Sequence, residues 1–196
     1  MEFLVKDTDG DTLFRLITGL IVPRPIGWIS TVSREGIYNL APFSFFNAVN
    51  DCPPVFMVSV SDRDDGSPKD TARNILETGE FVLNVVSEDL LGKMVITSEE
   101  FPPEVDEFKK AGLTPEASKT VKAPRVKEAR AKIECRLLRH IKVYDANLFL
   151  GEAQLICVED GVADREGRVD PERLQAVGRL GGNLYIKAFG EGILKA

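Results

Sequence analysis

Apolar positions in the first twenty residues keep no clean period, although Leu13, Leu16, Ile17 and Leu20 fit one side of a short amphipathic turn of helix. Pro23-Arg24-Pro25 stops that turn and holds Arg24 extended. Residues 26–32 then read as a strand, Ser33-Arg34-Glu35-Gly36 as a hairpin turn, and residues 37–41 as the returning strand. The return runs into Asn39-Leu40-Ala41-Pro42-Phe43-Ser44-Phe45-Phe46-Asn47, where phenylalanine, serine and asparagine stand in place of Val and Ile. With strand alternation, Phe43, Phe45 and Asn47 project to one side and Ser44 and Phe46 to the other, so both faces mix aromatic and hydrogen-bonding groups. Such a lining fits a flat heteroaromatic ligand. It also fits a buried strand whose polar groups bond to neighbouring backbone.

Beyond the Pro53-Pro54 break, residues 55–60 are a continuous apolar strand. Ser67-Pro68-Lys69-Asp70 then offers a cap, a proline at the first helical position and an acid three residues after the cap. The helix behind it would bury Ala72, Ile75, Leu76 and Gly79, with Gly79 ending it before a strand over residues 80–86. Residues 88–96 look helical, and residues 101–113 look like a proline-started helix closed by Gly112. Residues 131–143 and 148–158 are strands, residues 170–174 a helical turn, and residues 179–185 a glycine-rich return carrying Arg179 and Tyr185. Strands outnumber helices and follow one another by short turns. The expected class is mainly β (α+β), an antiparallel barrel with a few flanking helices, in one domain over residues 1–196.

Charge and residue counts narrow the chemistry. A net charge of −6 disfavours sequence-independent nucleic-acid binding, which needs a basic face, but leaves room for a local phosphate site. No apolar run approaches the roughly 20 residues that span a bilayer, and the acidic N-terminus lacks a signal-peptide layout, so a cytoplasmic protein is expected. Cys52, Cys135 and Cys157 are odd in number and widely spaced, which reads as three buried, reduced thiols without a metal site. His140 is the single histidine, and with no Gly-x-Ser-x-Gly elbow no catalytic triad is expected.

The helix start is the candidate anion site: its first N–H groups lack intrahelical partners, and Lys69 and Thr71 add a charge and a hydroxyl. Ser67 and Asp70 capping each other, with Lys69 solvated, is the plainer alternative. Taken with the aromatic stretch and the Ser30-Thr31 hydroxyls, the pattern describes a phosphate pocket and a ring slot, the shape of a mononucleotide such as FMN. No Gly-x-Gly-x-x-Gly dinucleotide motif is present.

The order of these motifs resembles the flavin reductase-like family, most nearly its flavoredoxin branch. It runs Arg24-Pro25, Ile29-Ser30-Thr31, residues 39–47, Pro53-Pro54, then Lys69-Asp70-Thr71-Ala72-Arg73-Asn74-Ile75. It continues through residues 79–84, Gly151-Glu152 and Arg179-Leu180-Gly181-Gly182. The resemblance implies an FMN-binding split β-barrel, a homodimer with FMN near the subunit interface. It puts Thr31 beside the flavin, and Asn39, Ser44, Phe45, Phe46 and Asn47 at the ring and ribityl chain. To these the residues themselves add the Ser30 hydroxyl, and the Asn47 amide with the backbone N–H groups of residues 45–47 as donors to the ring's N1–C2=O edge. Ser67, Lys69, Asp70 and Thr71 would hold the phosphate, Arg179 belongs to a matching motif, and residues 88–124 are assigned no site. Expected activities are an NAD(P)H:flavin oxidoreductase, a flavoredoxin-type electron carrier or a non-catalytic flavin-binding module. Hydride transfer needs no dedicated acid, base or nucleophile, so no catalytic residue is assigned.

Overall fold

The computed structural model describes residues 1–193. β1 (Gly27–Val32) and β2 (Tyr38–Phe43) form the first hairpin, Thr31 opposite Asn39 and Gly27 opposite Phe43, with Gly36 at φ 85° in the turn. β3 (Phe46–Asp51) pairs with β4 (Pro54–Ser61), and β5 (Glu80–Asn84) lies beside β1. A small ladder joins β6 (Pro115–Glu116) to β7 (Arg125–Val126). The long hairpin of β8 (Ala131–Val143) and β9 (Ala146–Val158) links β5 to β4. β10 (Val177–Arg179) and β11 (Tyr185–Lys187) make the C-terminal return.

The main sheet has the order β2-β1-β5-β8-β9-β4-β3, and its ladders are antiparallel. Its two edge strands, β2 and β3, are neighbours in sequence with only Ser44 and Phe45 between them. The chain therefore steps from one edge of the sheet to the other, which obliges the sheet to curl into a barrel left split at this corner. Ser59 N donates to Phe45 O at 2.9 Å and fastens the step to β4. The nine-residue aromatic stretch is thus two strands and a bend, not one strand.

Alternation along β1 sends Trp28 and Ser30 to one side and Ile29 and Thr31 to the other. Trp28 joins a core with Leu40, Met94, Phe108 and Val126; Ile29 joins another with Val58, Ile75, Phe81 and Phe149. Trp28 Nε1 donates to Thr97 Oγ1 at 2.9 Å, so its buried N–H is satisfied and the ring is a core ring. Gly151 on β9 admits Phe81: a Cβ there would sit 2.2 Å from Phe81 Cζ.

The helices are α1 (Gly10–Leu20), α2 (Asp70–Thr78), α3 (Leu91–Ile96), α4 (Glu107–Lys110) and α5 (Pro171–Leu174). α1 is longer than the expected turn because Asp9 caps it, accepting from Thr12 N at 2.9 Å. α2 begins at Asp70, with Lys69 in the cap position, so the expected Ser67 cap is corrected. Ser67 is held instead in the preceding turn, its N–H on Asp65 Oδ1 at 2.8 Å and its carbonyl accepting from Arg63 N. Leu76 is 46% exposed, and Thr71 and Asn74 share the inner face with Ala72 and Ile75. α4 is confined to four residues because Asp106, beyond Pro102-Pro103, caps Phe108 N at 3.0 Å.

Candidate functional site

An open cavity of about 380 Å³ lies at the β2–β3 corner, between α1, α3 and the C-terminal return. Phe14, Phe43, Phe45, Met94 and Tyr185 give it an apolar wall, and Ser44, Ser59, Ser61 and Ser98 contribute hydroxyls. Its charged lining is Arg24, Lys69 and Arg179: three cations and no acid, in a chain of net charge −6. A groove of about 90 Å³ shares Pro42, Phe43, Lys69 and Ser98 with the cavity and runs on to the first turn of α2, where Asn39, Asp70, Thr71 and Glu107 line it together with Arg63, Glu99 and Glu100.

At the groove end, α2 has no side-chain cap, so its first backbone N–H groups are left for a ligand or water. Asp70 is held by Arg63 at 2.6 Å and by Arg73, which offsets its charge at the helix start. Behind the groove, Asn39 Nδ2 donates to Thr31 Oγ1 at 3.1 Å and to Thr71 Oγ1 at 2.9 Å, and Asn74 Nδ2 donates to Thr31 Oγ1 at 3.0 Å. Asn74 Oδ1 is buried without a partner, while Asn39 and Thr71 reach the groove. Glu107, 7% exposed, accepts from Leu40 N at 3.2 Å. Burial pushes its carboxyl up to about 7, against two backbone hydrogen bonds and with help from Asp70 and Asp106.

At the cavity end, Arg24 is 5% exposed, its Nε donating to Ser44 Oγ at 3.1 Å. Its other donors reach Thr18 O, Ile21 O at 2.9 Å and Leu180 O at 3.0 Å. Burial, and then Arg179, lower its pKa from the ordinary arginine value. Arg179 lies over the Tyr185 ring at 4.6 Å and donates to the Tyr185 hydroxyl.

The structure brings Ser44, Phe45, Lys69 and Arg179 to the cavity and Asn39, Asp70 and Thr71 to the groove, with Thr31 one hydrogen bond behind Asn39. Four residues singled out from the sequence lie elsewhere. Ser30 points to the opposite side of β1, bonded to Pro124 O and accepting from Asn84 Nδ2 at 3.0 Å. Phe46 packs over Gly27 and stacks on Phe56 at 6.3 Å. Asn47 is exposed on β3 with its Oδ1 on Ala48 N at 2.8 Å, and Ser67 stays in its turn. The bend at residues 44–45 breaks the alternation that grouped Asn47 with Phe43 and Phe45.

Arg24, Phe14, Met94, Ser98 and Glu107 were not assigned as site residues. Arg24 carried a signal, an arginine fixed between two prolines; the others arrive through tertiary packing, three of them from residues 88–124. Of the three thiols expected to be buried only Cys135 is, Cys52 being exposed before the Pro53-Pro54 turn and Cys157 half-buried near the end of β9. Among the described residues no cluster of metal-ligating side chains occurs, and no helix is long and apolar enough to cross a membrane.

Comparison with known proteins places this geometry. Residues 19–171 match the family model described as flavin reductase like domain. A protein of Aquifex aeolicus is 62% identical over 195 residues, with both chains covered in full. Among solved structures, nitrilotriacetate monooxygenase component B from Bacillus cereus superposes with a TM-score of 0.92 at 34% identity, covering 99% of this chain and 98% of that one. The Pseudomonas fluorescens 2-nitrobenzoate 2-nitroreductase NbaA gives 0.90 at 30% identity, covering 100% and 96%. Flavoredoxin of Desulfovibrio vulgaris gives 0.77 at 25% identity, covering 89% and 91%.

Proposed function

The chain belongs to the flavin reductase-like family, and from that premise we propose that it is an FMN-dependent oxidoreductase drawing reducing equivalents from NADH or NADPH. The observation that carries this reading is the join between a cation-lined aromatic cavity and an uncapped helix start, reached past Lys69. A phosphate dianion suits the first turn of α2, with Lys69 and the Thr71 hydroxyl beside its free N–H groups. A flat ring suits the walls of Phe43, Phe45 and Tyr185, with Ser44 offering a hydroxyl that Arg24 orients.

When bound, FMN supplies the hydride and electron chemistry. The chain's own part is to bind and to orient the ring. Asn39 holds Thr71 at the groove while Thr31 holds Asn39, so the polar rim is fixed from behind. With Asn47 exposed on β3, the ring-edge contact expected of its amide passes to the backbone and hydroxyl of the Ser44-Phe45 corner.

The experiment is an FMN titration followed by anaerobic mixing with NADH or NADPH. Uptake of FMN and prompt bleaching of its absorbance near ~450 nm support the proposal. A protein that takes up no FMN contradicts it. The likeness to a flavoredoxin favours a second reading, an electron carrier that keeps FMN bound and is reduced by a protein donor. FMN uptake without bleaching by either nicotinamide selects that reading or a non-catalytic flavin-binding module.

A further inference from the structure

One end of the cavity is left over once a mononucleotide phosphate has been placed at α2, because the groove there includes neither Arg24 nor Arg179. These two residues face one another across a main-chain bridge, Arg24 N to Arg179 O at 2.9 Å and Arg179 N to Arg24 O at 2.8 Å. Neither takes part in an ion pair among the described residues. Arg24 spends its donors on Ser44 and on three carbonyls, among them Thr18 O and Ile21 O at the C-terminal end of α1. Those dipoles satisfy its N–H groups and offset part of its charge. They do not supply a counter-anion, and a buried guanidinium is costly without one. Arg179 donates to the Tyr185 hydroxyl and to Gly182 O at 2.6 Å, and its Nε–H has no partner among the described residues. Two like charges set side by side in a wall free of acids call for an anion.

We propose that Arg24 and Arg179 form a second anion subsite, which takes the carboxylate of a flat, conjugated substrate. That the substrate would lie beside a flavin rests on the function proposed above; the arginines and the aromatic wall belong to this chain alone. The planar guanidinium of Arg179, already stacked on Tyr185, matches a carboxylate through paired N–H donors better than it matches a single point charge. Phe14 and Met94, which a flavin ring set against Phe43, Phe45 and Tyr185 leaves free, give the apolar wall that a ring-borne acid needs. The cavity is open and measures about 380 Å³, so beside a bound flavin ring it leaves space for one small ring-borne acid and not for a second nucleotide.

The test compares benzoate with benzamide, which share a shape and differ in charge, by calorimetry on the FMN-loaded protein. Benzoate should bind at least about tenfold more tightly than benzamide. In Arg179→Gln the ratio should fall toward one, and Arg179→Lys, which keeps the charge, should retain part of it. A simple packing role for Arg179 would weaken both probes and leave the ratio unmoved, and that result overturns the proposal. So do equal affinities in the unaltered protein, and so does pyrophosphate displacing benzoate with the higher affinity, which would assign the subsite to a nucleotide. If the chain takes up no FMN, the proposed function fails. The same comparison on the chain as isolated still decides the subsite.

Discussion

Glu107 shows how far one residue's surroundings can set a property of the whole protein. Its carboxyl titrates at about 7 in the folded chain against an ordinary 4.5, burial being the main cause. Between those values the folded state holds a proton that the unfolded state has released. Stability therefore falls as pH rises from 4.5 to about 7 and levels off above. At roughly 1.4 kcal/mol per unit, the full span is about 3 kcal/mol, an upper bound for the group. Glu107→Gln keeps an oxygen for Leu40 N and removes the titration. It should raise the midpoint of thermal unfolding at pH 8 and leave it nearly unchanged at pH 5; an equal effect at both would contradict the assignment. Above pH 7 an ionised Glu107 in the groove also opposes a phosphate, so FMN binding should weaken there in the natural chain and not in the variant. At this scale the sequence was legible where residue type and place coincide. Lys69 and Thr71 stand at a helix start and Ser44 in an aromatic run, and all three reach the cavity or groove. Glu107 and Arg24 owe their character to burial by distant segments, which spacing does not reveal.

Among the elements, α2 and the long hairpin carry opposite lessons. The start of α2 was recognisable, but its first residue was displaced because the turn at residues 63–67 claims Ser67 for itself. That displacement leaves the helix without a side-chain cap and makes Lys69 the residue at its mouth. Lys69→Ala should weaken FMN binding about tenfold, the loss of one charge-assisted contact, with little change in unfolding temperature. Its exposed pair with Glu100 at 3.6 Å adds little to stability. β8 and β9 were recognisable as strands, yet nothing in their pattern showed that Gly151 sits under Phe81. A Cβ at Gly151 would lie within 2.2 Å of that ring, closer than real contacts allow, so Gly151→Ala should cost about 1–3 kcal/mol in chemical denaturation. The corner between β2 and β3 escaped the sequence for a related reason. Its bend is imposed by closure of the sheet, and local alternation carries no trace of which strand becomes an edge.

For the molecule as a whole, the barrel brings a basic cavity to one corner of an acidic chain. The same corner is bordered by apolar surface: on and after α1, Phe14 is 62% exposed, Ile17 50%, Leu20 75% and Ile21 62%, and Phe45 is 40% exposed beside the cavity. A second copy of the chain is the partner proposed for that surface, since an apolar ridge next to a ligand cavity fits a shared site. Light scattering on the FMN-loaded protein should then report a dimer, and a monomer with FMN fully bound would contradict this. The barrel class was readable from strand count and motif order, as was the presence of a helix near residue 70, whereas the apolar ridge was not, because a helix's apolar face looks the same in sequence whether a core or a partner covers it. The central claim is that the cavity and groove together hold FMN. Spectroscopic titration of the flavin-free protein with FMN tests it most directly. The account predicts saturable uptake of one FMN per chain, weakened by Lys69→Ala; absence of saturable uptake would contradict it.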